Sequence, residues 1–127
     1  MAPPVPGLGP LESAIMTAVW NAAEPLTGRE VYRRLDYRGD AGDIPTYTTV
    51  ATVLAILWRK GLLERAACLP GTGGRWVWSY QGKVSRESYL AVVVRSALDC
   101  TPNRTLVLGL ALAAPGDDWS QRLGVAT

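Results

Sequence analysis

The chain has 127 residues, 48% of them hydrophobic, with 13 lysines and arginines against 11 aspartates and glutamates, two cysteines and no histidine. That composition is ample for a packed core and excludes disorder throughout, and two thiols without an imidazole cannot assemble the four soft ligands of a structural zinc site. A net charge of +2 says little about a polyanionic partner, so the placement of charge matters more than its sum.

Residues 1–7, MAPPVPG, are rich in proline and glycine, have nothing to bury, and are expected to form a disordered arm. They lack the basic and apolar regions of a secretory leader, which gives the expectation of a cytoplasmic protein. From Leu8 onward, Leu11, Ile15, Val19 and Trp20 recur at helical spacing and predict a first helix that Pro25 ends. Thr27 followed by Glu30 reads as a capping box, since the hydroxyl can accept from the amide three residues on while the carboxylate reaches back. It opens a second helix from about Gly28 to Tyr37, burying Val31 and Leu35 with Tyr32 at its margin. Residues 38–44, RGDAGDI, read as a loop. A three-letter RGD match without a secretion signal carries no adhesion reading.

The third helix, opened by Pro45 or Thr46 and stopped by Gly61, holds the most informative pattern. At 3.6 residues per turn Val50, Val53, Leu54 and Leu57 form one stripe, while Thr48, Thr49, Thr52, Ala55 and Arg59 lie opposite, and the whole segment lacks a carboxylate. A solvated face normally mixes both signs of charge. A face that enters the major groove favours short hydroxyls and cations. Capping alone is the competing explanation for threonines at a helix start.

After Gly61, LLERAAC and RWVWSY predict two antiparallel strands joined by the glycine-rich LPGTGG, with Trp76, Trp78 and Tyr80 on one face. Residues 46–83 carry five bases, Arg59, Lys60, Arg65, Arg75 and Lys83, against the single acid Glu64. Three helices and this hairpin predict a winged helix-turn-helix over residues 8–83, so the fold class is mainly α with a small β-wing.

Ser85 is expected to cap a fourth helix on which Tyr89, Leu90, Val92, Val93, Val94, Ala97 and Leu98 cover nearly the whole circumference. Pro102 is expected to start a fifth, equally apolar helix that includes Leu106 and Leu110. Its apolar run is far too short to span a bilayer. Such helices need cover, either from their own domain or from the same elements of a second copy. The second account predicts a helical dimerisation region over residues 84–127, with Tyr89, Leu90, Val93, Val94, Ala97, Leu106 and Leu110 in the seam. Cys68 and Cys100 are either a disulfide or two reduced thiols, and the missing leader favours the thiols.

With these residues in place, the chain resembles the penicillinase-repressor family of bacterial winged-helix repressors, the group of BlaI, MecI and CopY. The carrying motifs are LGPLESAIMTAVW, LTGREVYRRL, YTTVATVLAILWRKGLLER, and GRWVWSY followed by VSRESYL. The resemblance implies a homodimer that binds a pseudo-palindromic operator in double-stranded DNA and represses transcription. It places Thr46, Tyr47, Thr48, Thr49 and Thr52 in the groove-entering segment, with Lys60 and Arg75 near the DNA backbone and Arg59 beside them. Packing against the second helix is the alternative role for Tyr47, and a solvated C-terminal turn is the alternative for Arg59 and Lys60.

The chain departs from the family pattern at several points. Ile56 stands where the family usually has an arginine. No phenylalanine exists for the asparagine-phenylalanine cleavage that inactivates antibiotic-responsive members, and the paired cysteines of copper-responsive members are missing. The family's sixth helix is reduced to DDWSQRLGVAT.

No catalytic residue, cofactor or metal is expected, because no histidine can act as a base and no nucleophile sits in a catalytic setting. The rival reading is a winged-helix module that docks on a protein through Trp58, Trp76 and Trp78, since tryptophan favours interfaces.

Overall fold

The computed structural model describes residues 5–39, 42–69 and 74–113. The first helix, α1 (Pro10–Asn21), starts two residues later than Leu8, because Pro10 takes the first helical position and Gly9 the cap. Proline fits there since its missing N–H would have no partner inside the helix. The Gly9 amide donates to Glu12 Oε1 at 3.2 Å, the carboxylate half of a capping box. The segment expected as a loose arm is fastened at residues 5 and 6. Val5 N–H donates to the buried Ser13 hydroxyl at 2.7 Å and the Tyr89 hydroxyl donates to the Pro6 carbonyl at 2.6 Å. Residues 1–4 lie outside the described residues.

Leu26–Thr27 form a two-residue strand, β1, where only a connection was expected, and α2 (Gly28–Arg34) follows at once. Both halves of the predicted capping box are made: Thr27 N–H donates to Glu30 Oε1 at 2.9 Å, and Glu30 N–H donates to Thr27 Oγ1 at 3.2 Å. The helix is shorter than expected. Leu35 turns to extended backbone and packs against the core, so the segment to Tyr37 is not helical.

The third helix, α3 (Tyr47–Arg59), is capped by Thr46. At its far end Gly61, with φ of +82°, donates to Trp58 O at 3.1 Å, and Leu62 N–H donates to Leu57 O at 3.1 Å. This pair of bonds is a Schellman stop, which needs a left-handed residue and therefore favours glycine. The chain then runs directly into β2 (Leu63–Cys68) and β3 (Val77–Gly82).

The sheet order is β1-β3-β2, all antiparallel, with Leu26 opposite Tyr80 and Cys68 opposite Val77. Pairing, not aromatic content, fixes the ends of β3. It begins two residues later than RWVWSY suggested and runs on to Gly82, opposite Leu63, which leaves Trp76 outside the strand. Most of the expected tip, residues 70–73, is outside the described residues. The core gathers Ile15, Met16 and Val19 from α1, Val31 from α2, Val50, Leu54 and Leu57 from α3, and Tyr80 from β3. The stripe predicted on α3 is thus the face that packs, with Val53 at its edge. The fold is the winged helix-turn-helix with a small sheet.

The chain divides into two compact units, one reaching Tyr89 and one from Leu90. The break falls inside α4 (Arg86–Leu98), beyond the expected boundary at residues 83 and 84, because the first turn of α4 is fastened to the winged unit. There the Trp20 indole donates to Val84 O at 3.0 Å, Arg86 bonds Asn21, and the Tyr89 ring lies 5.8 Å from that of Trp20. Ser85 caps α4, accepting from Ser88 N–H at 3.0 Å. The second unit contains the rest of α4 and α5 (Arg104–Leu112), which begins two residues after Pro102. No helix among the described residues is long and apolar enough to cross a membrane.

Candidate nucleic-acid interface

The outward side of α3 presents Thr48, Thr49, Thr52, Ile56 and Arg59 to solvent, with Ala55 half-exposed. A 13-residue helix is about 20 Å long. The threonines stand at one end and Arg59 and Lys60 at the other.

The hydroxyls are partly engaged by their own helix. Thr46 Oγ1 accepts from Thr49 N–H at 3.2 Å and lies 3.0 Å from Thr49 Oγ1, while Thr52 donates to Thr48 O at 3.0 Å. The capping explanation therefore holds for Thr46. It does not use up the group, since a hydroxyl carries one donor and two acceptor positions. Thr52 keeps its acceptor positions and its methyl for an incoming surface, and Thr48 is exposed without a role in the cap.

Tyr47 is half-buried against α2. Its ring stands edge-on to that of Tyr32 at 5.9 Å, the Arg29 guanidinium lies 4.2 Å from its centroid, and a Cβ built on Gly28 would come within 2.9 Å of its hydroxyl. Packing against the second helix is thus its observed setting. A side chain at position 28 would crowd the Tyr47 hydroxyl, so the ring would have to shift to make room for it.

The cations have separate placements. Lys60 Nζ sits 2.8 Å from Glu12 Oε2 on α1, with the lysine about half exposed. The Lys60 ammonium and the Gly9 amide hold the Glu12 carboxyl below its ordinary value against the opposing effect of burial. Arg59 is exposed at the last turn, and Arg75 is exposed just ahead of β3. Arg65 is turned inward between two indoles, with its guanidinium 3.7 Å from the Trp58 centroid and 4.2 Å from that of Trp78. Such contacts contribute roughly 0.5–1 kcal/mol each at exposed sites. Burial raises the pKa of the Tyr80 hydroxyl, and the positive charge of the same guanidinium works against that shift.

Two cations that the sequence reading missed, Arg29 and Arg33, line a groove of about 880 Å3 between α2, α3 and the wing. Tyr47, Ala51, Val77 and Trp78 form its other walls. The signal was present in GREVYRR, where positions four apart share a helical face.

The expected dimer residues divide between the two units. Tyr89 belongs to the winged unit and packs on Trp20. Leu90 and Val93 are half-buried, whereas Val94, Ala97, Leu106 and Leu110 are exposed, Leu110 at 63%. The expected sixth-helix remnant lies outside the described residues.

Residues 8–111 match the family described as penicillinase repressor. Two relatives from two strains of Mycobacterium tuberculosis, each named transcriptional regulator BlaI, are 45% identical over 56 residues. That stretch covers 44% of this chain and 38% of each relative, so the chain spans well under half the length of the curated relatives it matches.

Proposed function

The chain belongs to the penicillinase repressor family, and on that premise we propose that it is a dimeric, sequence-specific DNA-binding regulator that represses transcription from a pseudo-palindromic operator. The observation that carries this reading is the outward face of α3: hydroxyls, methyls and one arginine, solvated, with no carboxylate from Tyr47 to Lys60. Threonine hydroxyls suit base edges, their methyls suit thymine, and cations at Arg59, Lys60 and Arg75 suit phosphates on either flank. The name of the mycobacterial relatives supports the same assignment.

The second copy is supported by the apolar exposure of α5, where Leu106, Leu110 and Leu112 are all solvent-facing. A row of exposed leucines on a short helix is an interaction surface. Two-fold pairing then presents two α3 helices to half-sites about one helical turn, or a multiple, apart. The docking-module reading is weakened by the indoles themselves, because Trp58 and Trp78, though exposed at 39% and 46%, each already carry the Arg65 guanidinium against the ring, while Trp76 is 67% exposed.

The testing experiment is a mobility shift with DNA from the region upstream of the protein's own gene. Affinity should fall by orders of magnitude between about 50 and 200 mM salt. Binding that ignores salt, or no binding, would return the protein to the docking class.

A further inference from the structure

The wing is joined to α3 through the tight stop at Gly61 and Leu62, and a stack of three side chains crosses that junction. Trp58 comes from the last turn of α3, Arg65 from β2 and Trp78 from β3, with the guanidinium 3.7 and 4.2 Å from the two ring centroids. We propose that Arg65 is a positioning residue, which locks the wing at a fixed angle to α3 through the Trp58, Arg65 and Trp78 stack and so sets which stretch of a bound duplex the wing reaches. This rests on the DNA-binding reading above.

Three features carry it. The stack is made of one residue from each element that must be held, so the last turn of α3 cannot rotate against the hairpin without breaking a ring contact. It is rooted in the core, because Arg65 lies directly opposite Tyr80 in the ladder and Tyr80 is buried at 7% exposure. Finally, the geometry requires a flat cation. A guanidinium can lie face to face with two aromatic rings at once, whereas an ammonium is a strongly hydrated point charge. Two indoles lie within 4.2 Å of this half-buried cation, which sets it apart from Arg75, exposed on the same hairpin.

The test compares Arg65→Lys, which keeps the charge and removes the plane, with Arg65→Met, which removes both, and Trp78→Leu, which removes one side of the stack and leaves every charge. The probes are a duplex selected by the parent protein from genomic fragments and a random duplex of equal length. Tryptophan emission of the free proteins and their urea midpoints are recorded alongside. All three variants should shift the emission and lose about tenfold in affinity for the selected duplex, with affinity for random duplex unchanged in Arg65→Lys and Trp78→Leu. The dependence of log affinity on log salt should keep its slope in those two variants.

If Arg65→Lys binds as the parent does and Arg65→Met alone weakens binding, with a slope smaller by about one, then Arg65 is a phosphate contact and the inference fails. Parent-like binding by all three also overturns it. A parent protein that selects no duplex overturns the DNA-binding reading and the inference with it, whereas a selective parent with an unaltered Arg65→Lys overturns the inference alone.

Discussion

Lys60 and Glu12 meet at 2.8 Å although 48 positions separate them, joining the end of the candidate recognition helix to the first turn of α1. Glu12 spends one oxygen on this contact and the other on the Gly9 amide. One carboxylate thus closes a helix start and steadies the far end of another helix.

The pair should be felt as a pH dependence of stability. Glu12 is held below its ordinary value of 4.5 in the folded chain, so the folded state resists protonation more than the unfolded one. The stabilisation is complete above that value and disappears as pH falls through the lowered one. Because Lys60 is half exposed, the contribution is about 0.2–1 kcal/mol. Urea midpoints of the parent and Glu12→Gln should differ at pH 7 and converge as the pH is taken down through the lowered value. A difference that persists in acid would assign the effect to packing.

Thr46 and Thr52 should separate stability from readout. Thr46→Ala removes the acceptor for the Thr49 amide and should cost about 0.5–2 kcal/mol in thermal or urea unfolding. Thr52→Ala removes only a bond back to the Thr48 carbonyl and should leave stability within about 0.5 kcal/mol while reducing preference for the selected duplex over a random one. Arg75→Ala should weaken both duplexes alike and lower the salt slope by about one. Equal losses across the three would remove base readout from α3.

Gly28→Ala places a methyl 2.9 Å from the Tyr47 hydroxyl and should displace that ring, lowering stability by about 1–3 kcal/mol. In Tyr47→Phe the atoms nearest the new methyl are ring carbons at 3.6 Å, an ordinary contact. The double variant should therefore recover most of the loss. Additive costs in a double-mutant cycle would show that the methyl clashes elsewhere.

Leu106→Glu with Leu110→Glu should convert a dimer to a monomer in sedimentation, since both side chains are solvent-facing in the single chain and two carboxylates cannot be buried unpaired. The far-ultraviolet spectrum should change little. A parent already monomeric at micromolar concentration would end the two-copy account, and with it the expectation of paired half-sites.

Much of the fold was legible in sequence because its signals are local. The Thr27 and Glu30 capping box, the Val50, Leu54 and Leu57 stripe, and the Gly61 stop each act within about two helical turns, and each is found where expected. Two errors of extent have one origin. Local pattern carries the second helix past Arg34 and starts the returning strand at Arg75 because it contains no information about the partner. Leu35 is taken by the core, and the register with β2 starts β3 at Val77. Likewise β1, two residues long, exists only because β3 lies beside it.

The sequence by itself determined which residues of α3 turn inward, the cap that opens α2, the stop that ends α3, and that α3 carries no negative charge; periodicity and capping are short-range and need no neighbours. Only the tertiary structure decided what each polar and aromatic group does. It sent Arg65 between Trp58 and Trp78, Lys60 to Glu12, Tyr47 beneath Arg29, and Tyr89 onto Trp20. These partners come from different elements, and no spacing along the chain encodes which cations will be spent on packing and which remain for a partner.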